Sequence, residues 1–130
     1  MAEQVRKPIF WMGSSDDDLR RLTPEVRHEI GFALYRAQLG FRHHSAKPLK
    51  GFGGAGVLEV VQNDSGGTYR AVYTVKFAGA IYVLHVFQKK SKSGIKTPKN
   101  EINLIKNRLA QVAEHYEVHK HEFEQQTQTG

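Results

Sequence analysis

Five lysines, Lys89, Lys90, Lys92, Lys96 and Lys99, fall between Gln88 and Asn100 with no acid among them. They follow directly on an apolar run, Ile81-Tyr82-Val83-Leu84-His85-Val86-Phe87, which reads as a strand in the middle of a sheet. Ammonium groups cannot be buried unpaired, so they must emerge at the end of that strand, where an anion can meet them. A field of one sign attracts phosphate. Such a site could also cleave RNA without a metal. The ribose 2′-OH is then the nucleophile, and the step needs a base, donors for the charge growing on the phosphate, and an acid for the departing 5′ oxygen. Crowded lysines can fill these roles if one of them loses its proton easily.

The charge map places this chemistry. Residues 1–40 carry six basic and six acidic side chains, residues 41–100 ten and two, and residues 101–130 three and five. The net charge of +6 is thus 0, +8 and −2 in order, and the basic character belongs to the middle of the chain. Concentration of this kind points to a polyanion, nucleic acid before an anionic membrane. The absence of cysteine excludes disulfides, thiolate zinc sites and cysteine nucleophiles, and it fits a reducing cytoplasm. No stretch approaches the roughly 18 apolar residues of a membrane span, and the N-terminus has no signal-peptide core. At 130 residues the chain has room for one domain.

The elements that must position the cations can be read in turn. Lys7 to Met12 reads as a short edge strand. Ser15 followed by Asp16, Asp17 and Asp18 reads as a capped helix start rather than a metal cluster, and Thr23-Pro24-Glu25 opens a second helix whose stripe is Val26, Ile30, Ala33, Leu34 and Ala37. Residues 41–56 read as a loop with four glycines and no acid; its spacing matches neither a Walker loop nor a dinucleotide fingerprint. A β-meander follows, with strands over 57–62, 68–77 and 80–88. In its middle strand Arg70, Val72, Thr74 and Lys76 share one face. Thr97-Pro98 opens a last helix with Ile102, Ile105, Leu109, Val112 and Tyr116 as its stripe, and residues 118–130 read as a disordered polar tail after a domain of 1–117. The expected class is α+β: a small, mainly antiparallel sheet in the order β-α-α-β-β-β-α, with helices packed on one face.

Four segments in this order resemble RelE/HigB-like toxins of type II toxin–antitoxin systems, specifically the phage-related Gp49-like branch: Ala46-Lys47-Pro48-Leu49-Lys50-Gly51, Val57-Leu58-Glu59-Val60, Tyr69-Arg70-Ala71-Val72-Tyr73, and Tyr82 to Lys90 leading to Lys96-Thr97-Pro98. The resemblance extends over residues 7 to 116. It implies a RelE/ParE-like fold and an endoribonuclease that cuts messenger RNA at the ribosome and so inhibits translation. It also implies a helix-turn-helix antitoxin from the same operon, with the pair binding operator DNA, and neither cofactor nor metal. By position it assigns Lys47 and Lys50 to the ribose and phosphate, Arg70 to clamping the scissile phosphate, and Lys89 and Lys90 to catalysis. Arg42, His43, His44, Lys76, Lys92 and Lys96 are the expected RNA contacts. A gyrase poison or an idle nucleic-acid binder of the same fold group is the alternative.

Each residue also has an ordinary role open to it. Lys89 and Lys90 would guard an apolar strand against aggregation. Arg70 would pair with Glu59 or Asp64, and Lys47 and Lys50 would be solvated loop charges. His85, which alternates with Val83 and Phe87, reads as a core or site-lining histidine. His115, His119 and His121 offer metal-ligand spacing without a secure third ligand.

Overall fold

The computed structural model describes residues 6–54, 56–89 and 97–128, with side chains as far as Phe123 in the last segment. The elements are β1 (Ile9–Trp11), α1 (Ser15–Arg20), α2 (Pro24–Gln38), β2 (Ala46–Pro48), β3 (Val57–Asp64), β4 (Gly67–Thr74), β5 (Ile81–Lys89) and α3 (Lys99–Gln128). The five strands form one sheet in the order β1-β5-β4-β3-β2, parallel between β1 and β5 and antiparallel elsewhere. This is the expected α+β class, with one strand more than the sequence pattern reveals: β2 lies inside the anticipated loop.

The α2 stripe is the one expected, and Pro24 occupies the first turn behind Thr23. The Thr23 hydroxyl does not cap the helix but binds Asp64 across the fold at 2.9 Å. Ser14, not Ser15, precedes α1; the Ser15 hydroxyl is buried and donates to the Val83 carbonyl. Asp64 organises the β3–β4 turn by accepting the amide N–H groups of Gly66 and Gly67.

The helices cover both faces of the sheet, which corrects the expectation of one covered face. Leu19, Val26, Ile30, Ala33 and Leu34 of α1 and α2 pack with Leu58, Val60, Ala71, Tyr73, Ile81 and Val83. On the other side Ile105 and Val112 of α3 pack with Val57, Val72, Tyr82 and Leu84. Strands apolar on both faces require a layer on each. Burial pushes the Tyr82 hydroxyl up to about 12, and this group meets His115 Nδ1 of α3 at 2.8 Å.

The last helix continues past residue 117, where the sequence pattern places the end of the domain. α3 runs to Gln128, and Phe123 is buried against Phe10 and Tyr116. Gly79, at φ +83°, lets the helix in: a Cβ there would lie 2.8 Å from that of Phe123.

One irregularity matters for the site. β4 and β5 pair in steady register from Thr68↔Lys89 to Val72↔His85, then jump to Tyr73↔Val83, so Leu84 is an extra residue. A bulge of this kind re-aims the side chains beyond it. Tyr82 and Leu84 face α3, and after the bulge His85, Phe87 and Lys89 do so too, while Val86 turns to the α2 core.

Candidate functional site: a cation cluster around a buried carboxylate

Residues paired across antiparallel strands share a face, so the register lays out the α3 side of the sheet as a grid. One rung is Lys47, Glu59, Val72 and His85; the next is Val61, Arg70 and Phe87; the last is Asn63, Thr68 and Lys89. Three of the expected catalytic cations therefore converge, and Glu59 stands between them. Its Oε2 accepts from Arg70 Nη1 at 2.7 Å, and its Oε1 lies 3.9 Å from Lys47 Nζ. The Arg70 and Glu59 side chains are 4% and 7% exposed, whereas Lys47 is 56% exposed. Solvent thus reaches the cluster at Lys47.

Lys89 is buried on the neighbouring rung. Burial and then the Arg70 guanidinium lower its pKa below the ordinary lysine value, and Glu59 offsets part of this. The arrangement holds one strong phosphate donor fixed by a carboxylate, one exposed ammonium, and one amine that gives up its proton more readily than usual. Such a set of cations can hold a phosphate and take up a proton beside it.

Behind the cluster, His85 is held on both ring nitrogens. Arg108 of α3 donates to Nδ1 at 3.2 Å and to the Leu84 carbonyl at 2.9 Å, which leaves the Nε2 proton to Glu101. The ring stacks on Phe87 with centroids 4.7 Å apart. Gly13, at φ +55°, leaves room for the Arg108 guanidinium, with which a Cβ would collide. This network ties the first three turns of α3, through Glu101 and Arg108, to β5 beside the cations.

The remaining expected residues are placed elsewhere. Lys50 is exposed in the turn after β2, next to the buried Leu49. Arg42, His43 and His44 belong to the α2 side: Arg42 Nε binds the Ala46 carbonyl, and His43 is buried between His44, Phe32 and Glu29. His43 is 2% exposed, so its ring presents almost no surface to solvent. Lys76 follows β4 at the end of the sheet opposite Lys89 and lies over the Phe77 ring. Lys90, Lys92 and Lys96 lie outside the described residues. Sequence reasoning singled out Arg70 and named Glu59 only as a pairing partner; Glu101 and Arg108 carried no signal, since each is an ordinary charge on an amphipathic helix.

The same architecture occurs among solved structures. The Escherichia coli toxin RelE, an arginine-to-alanine mutant in the free state, matches with a TM-score of 0.50 at 19% identity, over 67% of this chain and 87% of RelE. The toxin–antitoxin complex RelBE2 from Mycobacterium tuberculosis matches with a TM-score of 0.42 at 22% identity, over 65% of this chain and 100% of that one. The match to RelE shows that the chain has the RelE-like fold. No curated protein sequence is similar enough to count as a relative. Residues 17–110 match the family described as phage derived protein Gp49-like (DUF891), and the chain belongs to that family.

Proposed function

We propose that this chain is the toxin of a type II toxin–antitoxin system and works as a metal-independent endoribonuclease on messenger RNA at the ribosome. Family membership and the RelE-like fold support a toxin. The observation that carries the chemistry is the cluster of Lys47, Arg70 and Lys89 around Glu59, with burial and the Arg70 guanidinium lowering the Lys89 pKa below the ordinary lysine value.

The phosphate enters from the Lys47 side, and Arg70 shares its guanidinium between Glu59 and a phosphate oxygen. Lys89, in its neutral form, takes the 2′-OH proton. The O2′–P bond forms while charge on the phosphorus oxygens is held by Arg70 and Lys47. The P–O5′ bond then breaks, the exposed Lys47 ammonium protonates the 5′ oxygen, and a 2′,3′-cyclic phosphate remains. The partners on this reading are messenger RNA and the ribosome in the cytoplasm, a helix-turn-helix antitoxin, and operator DNA through the antitoxin complex.

Primer extension on messages from cells briefly expressing the chain tests the proposal. Ribosome-dependent cuts that vanish in Arg70→Ala and Lys89→Ala are expected. Intact messages with broken DNA would replace the nuclease by a gyrase poison of the same fold.

A further inference from the structure

Four large apolar side chains stand exposed among the described residues, and three of them share one surface: Phe32 at 43%, Tyr35 at 42% and Phe41 at 51%. Phe32 and Tyr35 are three residues apart and so neighbours on α2, and Phe41 follows the turn that ends it, its N–H bonded to the Arg36 carbonyl. Arginines lie over all three rings. The Arg36 guanidinium is 5.9 Å from the Phe32 centroid and 5.4 Å from that of Phe41, and Arg6 stands 5.4 Å from Tyr35.

Beside Phe41 opens a hollow of about 340 Å³, walled by Leu58 and Val75 and bearing Lys7 and Arg42. All of this lies on the α2 side of the sheet, across from Arg70 and Lys89. Exposed aromatic rings in contact with arginine are the composition of a protein-binding hot spot, and an adjoining hollow suits an anchor side chain.

We infer that this face docks an acidic, apolar-anchored segment of a partner protein. On the reading above that partner is the antitoxin, held at the back of the sheet with the cation cluster uncovered. Charge complementarity sets the sign: Arg6, Lys7, Arg36 and Arg42 surround the rings, and the nearby Glu29 is turned toward His43. Carboxylates suit the surface better than RNA. A base would have to displace guanidinium groups already lying over the rings, whereas a carboxylate meets their outward N–H edges directly.

The test titrates the full chain with the purified product of the reading frame adjoining its own, and separately with a 2′-O-methyl RNA oligonucleotide. Arg36→Glu and Phe41→Ser, both at exposed positions, each weaken the protein partner at least tenfold, leave RNA binding and cleavage as in the wild type, and keep the wild-type thermal melt. Lys89→Ala leaves the partner's affinity unchanged. Three outcomes overturn the inference: no binding of that product by the wild type, partner binding lost in Lys89→Ala but kept in the α2 variants, or RNA affinity lost in those variants instead. A wild type that cuts no RNA but binds the partner through Arg36 and Phe41 sinks the nuclease reading and leaves the docking face standing.

Discussion

Replacing Glu59 with glutamine should move stability and RNA affinity in opposite directions. The carboxylate lies 2.7 Å from Arg70 Nη1, with both side chains at most 7% exposed, and 3.9 Å from the exposed Lys47. Breaking a buried ion pair costs about 3–5 kcal/mol, because the surviving charge stays buried. Glutamine keeps the shape and one acceptor for Arg70, which returns about 1 kcal/mol. The exposed Lys47 contact contributes about 0–1 kcal/mol. The net loss is about 2–5 kcal/mol, and with a urea slope of about 2 kcal/mol per molar the midpoint falls by about 1–2.5 M. Removing the negative charge also frees Arg70 and Lys47 from competition when a phosphate arrives. A non-cleavable 2′-O-methyl RNA should therefore bind more tightly, with a salt dependence steeper by about 0.7 for each cation newly engaged. Urea melts followed by the fluorescence of Trp11, the single tryptophan, give the first quantity, and titrations across salt concentrations give the second. A variant as stable as the wild type would refute the buried pair. A variant that loses both stability and affinity would show that Glu59 aims Arg70 rather than opposing the phosphate.

Other perturbations separate the remaining roles. Lys89→Arg keeps the charge but cannot act as a base, so it should bind RNA like the wild type and lose cleavage by a factor of about 100 or more. In the wild type, cleavage should rise with pH through the lowered Lys89 pKa, measured as single-turnover rates on a short RNA. Phe123→Ala should cost about 3–5 kcal/mol in a thermal or urea melt if the end of α3 belongs to the fold, and almost nothing if it were a tail. Burial lowers the pKa values of His115 and His43 below 6.5, with His119 adding to the first and His44 to the second. The unfolded chain then binds more protons below pH 6.5, so this stability is complete above 6.5 and declines as pH falls toward the folded values. The urea midpoint should be lower at pH 5.5 than at 7.5, and His115→Gln should remove part of that slope while His43 retains the rest.

Much of the fold was written in local chemistry. Pro24 behind Thr23, the Asp64-Ser65-Gly66-Gly67 turn and the Thr97-Pro98 start each mark an element boundary that the structure reproduces within a few residues. β2 escaped because three residues ending in proline carry no period and pair only at an edge, through Ala46, Lys47 and Pro48 with β3. The second covered face was foreshadowed by a strand apolar on every position from Ile81 to Leu84; helical stripes alone do not say which side of a sheet they will meet. The end of α3 escaped because polar composition argues for disorder, whereas Phe123, seven residues after Tyr116 and so on the same helical face, is enough to hold the last turns against Phe10 and Gly79.

The site was legible as residue types and illegible as geometry. Strict alternation along β5 puts His85 and Lys89 on the face of Val83, which is the α2 core, and so on the opposite side of the sheet from Arg70. The extra residue at Leu84 reverses this and brings Lys89 to the rung beside Arg70. No propensity rule marks that bulge, and without it the lysine would face away from the arginine. Removing one partner of the buried pair is costly, yet well-packed apolar side chains in place of both the carboxylate and the guanidinium are commonly as stable or more so, so stability alone does not call for the ion cluster. The bulge gathers three cations around one carboxylate and leaves Lys47 in solvent, and on the proposed reading an arriving phosphate displaces part of Glu59's hold.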